Sequence, residues 1–354
     1  MRRPDTPKYI NGWLYSDAPQ LSVHITSFED ATLVSVSRLH SFIDALGRKA
    51  LFDVWELVLE GREDEVPPLH GFDEDPLTNL ETSLVEPYIL TGRQLRGLST
   101  ISFAVRYIFE LLSWRKEEAR MVCLPSRYLK DMRKTALEEL SGQELGDAKS
   151  FVSEGVIICA WWTRVAIHHL PQTSNRTVCI MNAVGLRALL SKDLLPPNRA
   201  YISNALHGVY VLIPVSDVLT EPLSAVGSKI RQSTVEQGTR DQVEAFAVLT
   251  QKVCPVVGDS TTQMIVFSNH TKAGMFRVDF SAAAVKQGLP VEKRASALGQ
   301  PSYINIDGYF NSEAFSGGNS FPIVERDAVG NYWPSGSMRA SLWPLIEKFL
   351  VAVE

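Results

Sequence analysis

Residues 31–47, ATLVSVSRLHSFIDALG, decide the architecture expected for this chain. Their first half is apolar and β-branched, with a loose alternation at period two, which predicts a strand. From Phe42 the apolar residues change to helical spacing, which predicts a helix that stops at Gly61. His40 therefore lies where a strand gives way to a helix. Clefts open at the ends of strands in α/β folds, so a histidine there can meet a substrate.

His40 and Asp44 are four residues apart, and this spacing allows two arrangements. If both lie on one helix face, the Asp44 carboxylate can orient the imidazole. If His40 is still in the loop, Asp44 points elsewhere and braces the helix against a buried arginine. The spacing arises by chance as well, and a histidine beside apolar residues is often an ordinary core residue.

The composition is that of an ordinary globular protein. Of the 354 residues, 45% are hydrophobic and 21% are charged, which suffices for a large core in roughly two domains. The net charge of −5 argues against a general nucleic-acid binder but leaves room for a local basic funnel for one anionic ligand. The four cysteines form no C-x-x-C pair, which excludes a zinc ribbon and a thioredoxin-type motif and suits the reducing cytosol.

The beginning of the chain has no apolar segment typical of a secretory signal, and no apolar run approaches the length of a membrane span. We therefore expect a cytoplasmic protein without a membrane segment. The motifs G-x-S-x-G, G-x-G-x-x-G and G-K-[ST] do not occur, which excludes the usual hydrolase, dinucleotide-binding and P-loop classes.

Strand and helix patterns alternate along the chain, which predicts an α/β or α+β fold in two lobes. Residues 62–97 are rich in acid, proline and glycine and show no periodicity, so we expect a long connector there. The predicted strands are 21–26, 32–40, 121–125, 177–184, 208–215, 264–267 and 274–280. The predicted helices are 42–59, 126–141 with Ser126 as its N-cap, one that begins after Ser153, two within 222–253, and a terminal helix within 337–354.

Two groups of residues invite functional readings that the pattern does not favour. His168 and His169 are adjacent on one predicted helix and so point in different directions, and no cysteine or carboxylate cluster lies near them or near His24. We therefore expect no metal site. Trp161 and Trp162 could form a stacking platform, but in so apolar a helix core packing is the expected role.

Six blocks, spread along the chain in a fixed order, share a pattern with one protein family. The blocks are VSRLHSFIDALG (36–47) with the following VWELVLEGREDEVPPLHGFDEDPL (54–77), SFVSEGVIICAWWTRVA (150–166), VCIMNAVGLRALL (178–190), LPPNRAYISNAL (195–206), FRVDF (276–280) and GSMRASLW (336–343). Together they resemble the BAHD acyltransferases, which use acyl-CoA, and above all the fungal members of secondary metabolism. The likeness runs from residue 9 or so to the end of the chain.

The resemblance implies a two-lobed, chloramphenicol-acetyltransferase-like fold with mixed β-sheets flanked by helices. Residues 1–61 would be a shortened N-terminal lobe that carries the H-x-x-x-D motif, because family members have a far longer lead before this histidine. Residues 62–97 would be the crossover connector, and residues 98–354 the C-terminal lobe with the terminal helix.

By position, His40 matches the general base of the family and Asp44 its structural aspartate, which in relatives pairs with an arginine. Arg187 is the candidate for that partner. His40 would take the proton of an alcohol or amine as it attacks the thioester, and would return it to the CoA thiolate. A donor should stabilise the oxyanion, and Asn204, in the segment that resembles Y-x-G-N, is the candidate.

The segment that matches D-F-G-W-G reads Asp279-Phe280-Ser-Ala-Ala, so both glycines and the tryptophan are replaced. In the family this loop is structural and shapes the CoA side, so the replacements bear on cofactor affinity. Lys272, Arg277 and Asp279 are the candidates for binding CoA. After Asp44, Ala45 stands where the family commonly has glycine.

The resemblance implies an acyltransferase that moves an acetyl or other short acyl group from acyl-CoA, its co-substrate, to a hydrophobic small molecule. We expect no metal, no tightly bound cofactor, no nucleic-acid or membrane partner, and a monomer. The alternative is a catalytically silent or truncated relative that serves as a binding module or remnant. A condensation-type domain would need a second histidine at Leu39 and a carrier-protein partner, and is not expected.

Overall fold

The computed structural model describes residues 3–7, 9–81, 86–113, 117–142, 151–250, 256–285, 288, 290–294, 296–306 and 318–351. The helices are α1 (Ile10–Leu14), α2 (Ala45–Leu59), α3 (Leu98–Ser113), α4 (Ser126–Ser141), α5 (Glu154–Ala166), α6 (Val215–Thr220), α7 (Leu223–Gln237), α8 (Arg240–Thr250) and α9 (Trp343–Val351). The strands are β1 (Leu21–Ser27), β2 (Thr32–Arg38), β3 (Glu117–Met121), β4 (Thr177–Gly185), β5 (Leu206–Pro214), β6 (Gln263–Asn269), β7 (Ser320–Arg326) and β8 (Tyr332–Arg339).

The strands form two separate sheets. β1 and β2 pair as an antiparallel hairpin, and the other six strands form one sheet in the order β3-β8-β7-β6-β4-β5. In the larger sheet β6 pairs in parallel with β4 on one side and β7 on the other, whereas the pairs β4–β5, β7–β8 and β3–β8 are antiparallel. The fold is therefore a mixed α/β fold with helices against the sheets, as the sequence predicts.

The main core lies around α5, between the larger sheet and helices α4 and α7. Ser153 caps this helix, because its hydroxyl accepts a hydrogen bond from the Val156 amide, as predicted. Trp161 and Trp162 are buried, and the ring of Trp162 lies 5.2 Å from that of Phe321. The two tryptophans are thus core residues, which confirms the expected packing role.

Several predicted elements are wrong in place or kind. The predicted strand at 121–125 ends at Met121, and α4 begins at Ser126 with Pro125 as its N-cap. Residues 274–280 form one short 3-10 helix, Met275–Arg277, and an extended stretch instead of a strand, because Gly274 adopts the left-handed conformation and starts a turn. The predicted terminal helix begins only at Trp343. Residues 82–85, 251–253 and 352–354 of the predicted segments lie outside the described residues.

The sequence pattern did not predict β7 and β8. The β8 sequence, YWPSGSMR, is rich in turn-forming residues, yet every second side chain is buried. Gly336 explains this composition, because a Cβ atom there would lie 2.2 Å from the ring of Phe321 on β7. The small residue lets a large aromatic side chain fill the space over the neighbouring strand.

Helix α3 packs with its polar side inward. Arg106 donates hydrogen bonds to the Ser260 and Thr262 carbonyls, and Glu110 pairs with Arg176 at 2.7 Å. Apolar side chains on the remaining surface of the helix are exposed, which is the reverse of an ordinary surface helix. These side chains are Leu98, Ile101, Val105, Ile108, Phe109 and Leu112. No helix within the described ranges is long and apolar enough to cross a membrane.

Candidate active site

His40 lies in the turn that joins β2 to α2, and it is exposed. Arg38, the last residue of β2, closes this turn by donating a hydrogen bond of 2.6 Å to the Ile43 carbonyl. The Phe42 amide donates to the Leu39 carbonyl at 3.1 Å. Because His40 precedes the helix, it does not share a helix face with Asp44.

Asp44 is the N-cap of α2 and is only 1% exposed. Its Oδ1 accepts a hydrogen bond from the Gly47 amide at 2.7 Å, and its Oδ2 accepts from Arg187 and from the Ala205 amide, both at 2.9 Å. Burial alone would raise the pKa of this carboxyl, but the hydrogen bonds outweigh it and hold the pKa below its usual value. Asp44 thus braces the helix against an arginine, which is the second of the two arrangements its spacing allows.

Arg187 follows β4 and connects the segment 201–205 to the start of α2. Besides Asp44, its guanidinium donates to the Tyr201 and Ser203 carbonyls, at 3.1 and 2.7 Å from Nη2. The same segment leaves no room for a side chain at Gly47, where a Cβ atom would lie 1.9 Å from the Ile202 carbonyl oxygen. A glycine at this position therefore permits the close approach.

Asn204 contacts the histidine turn directly. Its Nδ2 donates to the His40 carbonyl at 2.8 Å and to the Ser41 carbonyl at 3.1 Å. The predicted donation from this amide to an oxyanion stays a prediction, since the structure contains no substrate. The contact to the backbone of His40 is a feature that sequence reasoning missed, because carbonyl partners leave no signal in a sequence.

A second histidine, His270, lies close enough to His40 for their charges to interact. Its Nε2 is 3.0 Å from the Ser268 hydroxyl, which is one residue from the end of β6. Burial, together with the nearby charges of Arg48, His40 and Arg38, lowers the pKa of His270 to about 3. His270 is therefore neutral at physiological pH. In the sequence it belongs to an ordinary Asn-His-Thr triplet, so nothing marked it as part of the site.

Charged groups lie in and near the first turn of α2. Arg48, in that turn, is partly buried, and burial lowers its pKa to about 10, which still leaves its guanidinium charged at neutral pH. Glu325 on β7 is 2% exposed and accepts hydrogen bonds from the Met275 and Arg326 amides. Burial raises the pKa of this carboxyl, although the charges of Arg277 and Arg48 oppose the shift. The region around His40 therefore combines an exposed imidazole with partly buried guanidinium groups and a buried carboxyl group.

The predicted CoA residues lie on the turns that follow β6. Lys272 and Arg277 are exposed, and Asp279 accepts a hydrogen bond from the Ser281 amide at 2.8 Å. The ring of Phe280 lies 5.0 Å from that of Trp55 on α2. The degenerate D-F-G-W-G segment thus rests on the helix that follows His40, whereas binding of CoA by these residues stays a prediction.

The described part of the chain contains no group of three or more His, Cys, Asp or Glu side chains that could hold a metal ion. Burial lowers the pKa of His169 to about 4, so this histidine is neutral. The arrangement around His40 is suited to proton transfer, because an exposed imidazole sits on a turn that hydrogen bonds from Asn204 and Arg38 hold in place.

Residues 11–295 match the model of the Transferase family. The chain is 40% identical to transcriptional regulator calD of Penicillium decumbens and 37% identical to acetyltransferase sphE of Aspergillus fumigatus. These alignments cover 98% and 100% of the chain and 71% of each relative. O-acyltransferase pboC of Aspergillus ustus is 33% identical over 99% of the chain and 74% of that protein.

The fold resembles that of TRI101 from F. graminearum, solved in complex with coenzyme A and T-2 mycotoxin. The TM-score is 0.64 at 14% identity, over 93% of the chain and 67% of the solved one. Vinorine synthase gives a TM-score of 0.53 at 12% identity, over 92% of the chain and 63% of the synthase. At such low identity the likeness supports the fold, and it agrees with the chloramphenicol-acetyltransferase-like architecture expected from the sequence.

Proposed function

The chain belongs to the Transferase family, the BAHD-type acyl-CoA transferases, and on that premise we propose that it transfers an acyl group from an acyl-CoA to a small molecule. The acyl group is acetyl or another short chain, and the acceptor is a hydroxyl or amine of a hydrophobic secondary metabolite. The observation that carries this proposal is the exposed His40 on a turn fixed by Asn204 and by the buried pair of Asp44 and Arg187.

In the proposed reaction His40 acts as the general base. Its imidazole takes the proton of the acceptor hydroxyl while the oxygen attacks the carbonyl carbon of the thioester. The tetrahedral intermediate then collapses, the bond between carbon and sulfur breaks, and the proton passes from His40 to the CoA thiolate. The products are the ester and free CoA, and no acyl-enzyme is formed. Asp44 and Arg187 hold the turn and do not touch the reacting atoms.

The charges near the turn are mixed in sign. The guanidinium groups of Arg38 and Arg48 both interact with the carboxylate of Asp44, and Arg48 interacts with that of Glu325 as well. His270 is neutral and adds an imidazole without adding charge.

We further propose that residues 1–61 belong to the N-terminal lobe, that 62–97 are a crossover connector and that 98–354 form the C-terminal lobe. The β1–β2 hairpin is a sheet separate from the six-stranded one, and it exposes Val23 and Ile25, which supports its assignment to a different lobe. We also propose that the protein is a monomer and that it is cytoplasmic.

A second candidate function is a catalytically silent relative that binds small molecules or partners. One observation favours it: a relative at 40% identity bears the name of a transcriptional regulator. The replacements in the segment from Asp279 to Ala283 point the same way, since they alter the side proposed for CoA. The intact His40 and Asp44 favour the enzyme.

The test is single-turnover release of CoA from acetyl-CoA, with a panel of hydroxylated terpenoid and alkaloid acceptors. His40→Ala should lower the rate by about 10²- to 10⁴-fold, as expected for loss of a general base. His168→Ala, which removes an exposed histidine elsewhere, is the matched control and should leave the rate unchanged. Calorimetric titration with CoA separates the two candidates if no acceptor is acylated: absence of CoA binding favours the silent relative, whereas CoA binding without transfer points to an acceptor outside the panel.

A further inference from the structure

We propose that Asn204 is a positioning residue, which holds the backbone of His40 so that its imidazole meets the acceptor. This inference rests on the proposed acyltransferase function. Its basis is the pair of hydrogen bonds from Nδ2 to the His40 and Ser41 carbonyls, at 2.8 and 3.1 Å. One side chain thus holds two consecutive peptide groups at the reactive residue.

The orientation of the Asn204 amide follows from the fact that both of its partners are hydrogen-bond acceptors. Both partners are carbonyl oxygens, so the nitrogen must face them, and a flipped amide would set oxygen against oxygen. An amide nitrogen has two hydrogens, and the two carbonyls use both. No N–H of this side chain is left for an oxyanion in this arrangement, so Asn204 acts on the reaction through His40.

Asn204 is well placed for this task because its own backbone is held on both sides. Before it, the Ser203 carbonyl accepts a hydrogen bond from Arg187 at 2.7 Å. After it, the Ala205 amide donates to Asp44, and the Ala205 carbonyl accepts from the Leu186 amide at 2.8 Å. The side chain therefore extends from a rigid segment to an exposed turn, and it transfers that rigidity to the base.

Loss of the two hydrogen bonds from Asn204 to the His40 and Ser41 carbonyls should affect the chemical step more than substrate binding. A base displaced by about 1 Å can lose roughly 10²-fold in rate, because proton transfer requires a narrow range of geometry. The Lys272 and Arg277 side chains, proposed for CoA, have no contact with Asn204 among the described hydrogen bonds. The expected signature is a lower kcat with an unchanged KM for acyl-CoA.

The experiment compares Asn204→Ala and Asn204→Asp with the wild type by steady-state kinetics. Both variants lack the donor, and the aspartate keeps the size of the side chain should the alanine variant fold poorly. We expect kcat to fall about 10- to 100-fold in both, with KM for acyl-CoA within about twofold. The Leu39 and Phe42 amides, which donate hydrogen bonds in this segment, should exchange hydrogen roughly tenfold faster than in the wild type, a readout that needs no catalysis.

Asn331→Ala is the matched control, because it removes an asparagine that also bonds to the backbone, at the Ser126 amide, in a distant loop. It should leave kcat and the exchange of the Leu39 and Phe42 amides unchanged. A lower kcat with unchanged exchange would overturn the proposal in favour of a direct oxyanion role, and an unchanged kcat would overturn it outright. If the wild type transfers no acyl group, the acyltransferase proposal fails. Unchanged exchange in Asn204→Ala and Asn204→Asp would then overturn the positioning, and faster exchange would support it.

Discussion

Replacing Asp44 by alanine should lower the free energy of unfolding by about 3–5 kcal/mol. The carboxylate is almost fully buried and accepts hydrogen bonds from Arg187, Gly47 and Ala205. Losing the helix cap costs about 1 kcal/mol, and each buried donor left without a partner costs roughly 1–3 kcal/mol. The guanidinium of Arg187 keeps its two carbonyl partners, so the total stays near the middle of this range.

The part of this free energy that comes from the interaction of Asp44 with Arg187 can be isolated with a double-mutant cycle. Asp44→Ala, Arg187→Ala and the double variant are compared with the wild type by urea unfolding, followed by far-UV circular dichroism. We expect a coupling free energy of about 1–3 kcal/mol, because the carboxylate is buried and the guanidinium is mostly shielded from solvent. The exposed pair of Lys49 and Asp53, at 2.6 Å, is the matched control and should give a coupling below about 1 kcal/mol.

A coupling near zero for Asp44 and Arg187, equal to that of the surface pair, would refute this reasoning. It would mean that the Ala205 and Gly47 amides satisfy the carboxylate alone. A total loss below about 1 kcal/mol in Asp44→Ala would refute the larger claim, since it would equal the loss of a helix cap only. Both results can be read from the same unfolding curves.

Three further predictions concern the same region and helix α3. Gly47→Ala should lower the free energy of unfolding by about 2 kcal/mol or more, because the new Cβ atom would lie 1.9 Å from the Ile202 carbonyl oxygen. Urea unfolding measures this loss, and a value below about 0.5 kcal/mol would contradict the prediction. The hydrogen bonds of Asp44 hold its pKa low, so its contribution to stability is present above about pH 4 and is lost as the pH falls through the pKa of the folded state. Between about pH 6 and 3 the urea midpoint should therefore fall less in Asp44→Asn than in the wild type. Equal falls of the two urea midpoints would contradict this prediction. Replacing Ile101 and Ile108 together by glutamate should leave the free energy of unfolding within about 0.5 kcal/mol and reduce light scattering at high concentration, whereas a larger loss would mean that this side of α3 is buried.

The sequence sufficed for the part of the fold that carries the site. β2 and α2 follow from local patterns, alternation and then helical spacing, and His40 lies in the turn between the end of β2 at Arg38 and the start of α2 at Ala45. The candidate pair of Asp44 and Arg187 came from the resemblance, and the two residues lie 2.9 Å apart. Local pattern could not supply this pair, because 143 positions separate the residues in the chain.

Other features depend on contacts that no local pattern encodes. α3 has a helical apolar spacing, but its orientation is decided by Arg106 and Glu110, which bind carbonyls and charges of distant segments. The composition of β8 is that of a loop, and its place in the sheet depends on the space that Gly336 leaves for the Phe321 ring. His270 enters the site only because β6 ends beside α2. In each case a tertiary contact overrides the local preference.

One short segment, residues 201–205, holds both ends of the His40 turn. At one end Asn204 donates hydrogen bonds to the His40 and Ser41 carbonyls. At the other end the Ala205 amide donates to Asp44, as does Arg187, which also binds the Ser203 carbonyl. Because the two ends share one support, a displacement of this segment moves the imidazole and the helix cap together. Substitutions within 201–205 should therefore change turnover and stability in parallel. His40 is exposed, and no hydrogen bond of its side chain occurs among the described residues, so its replacement should change turnover alone.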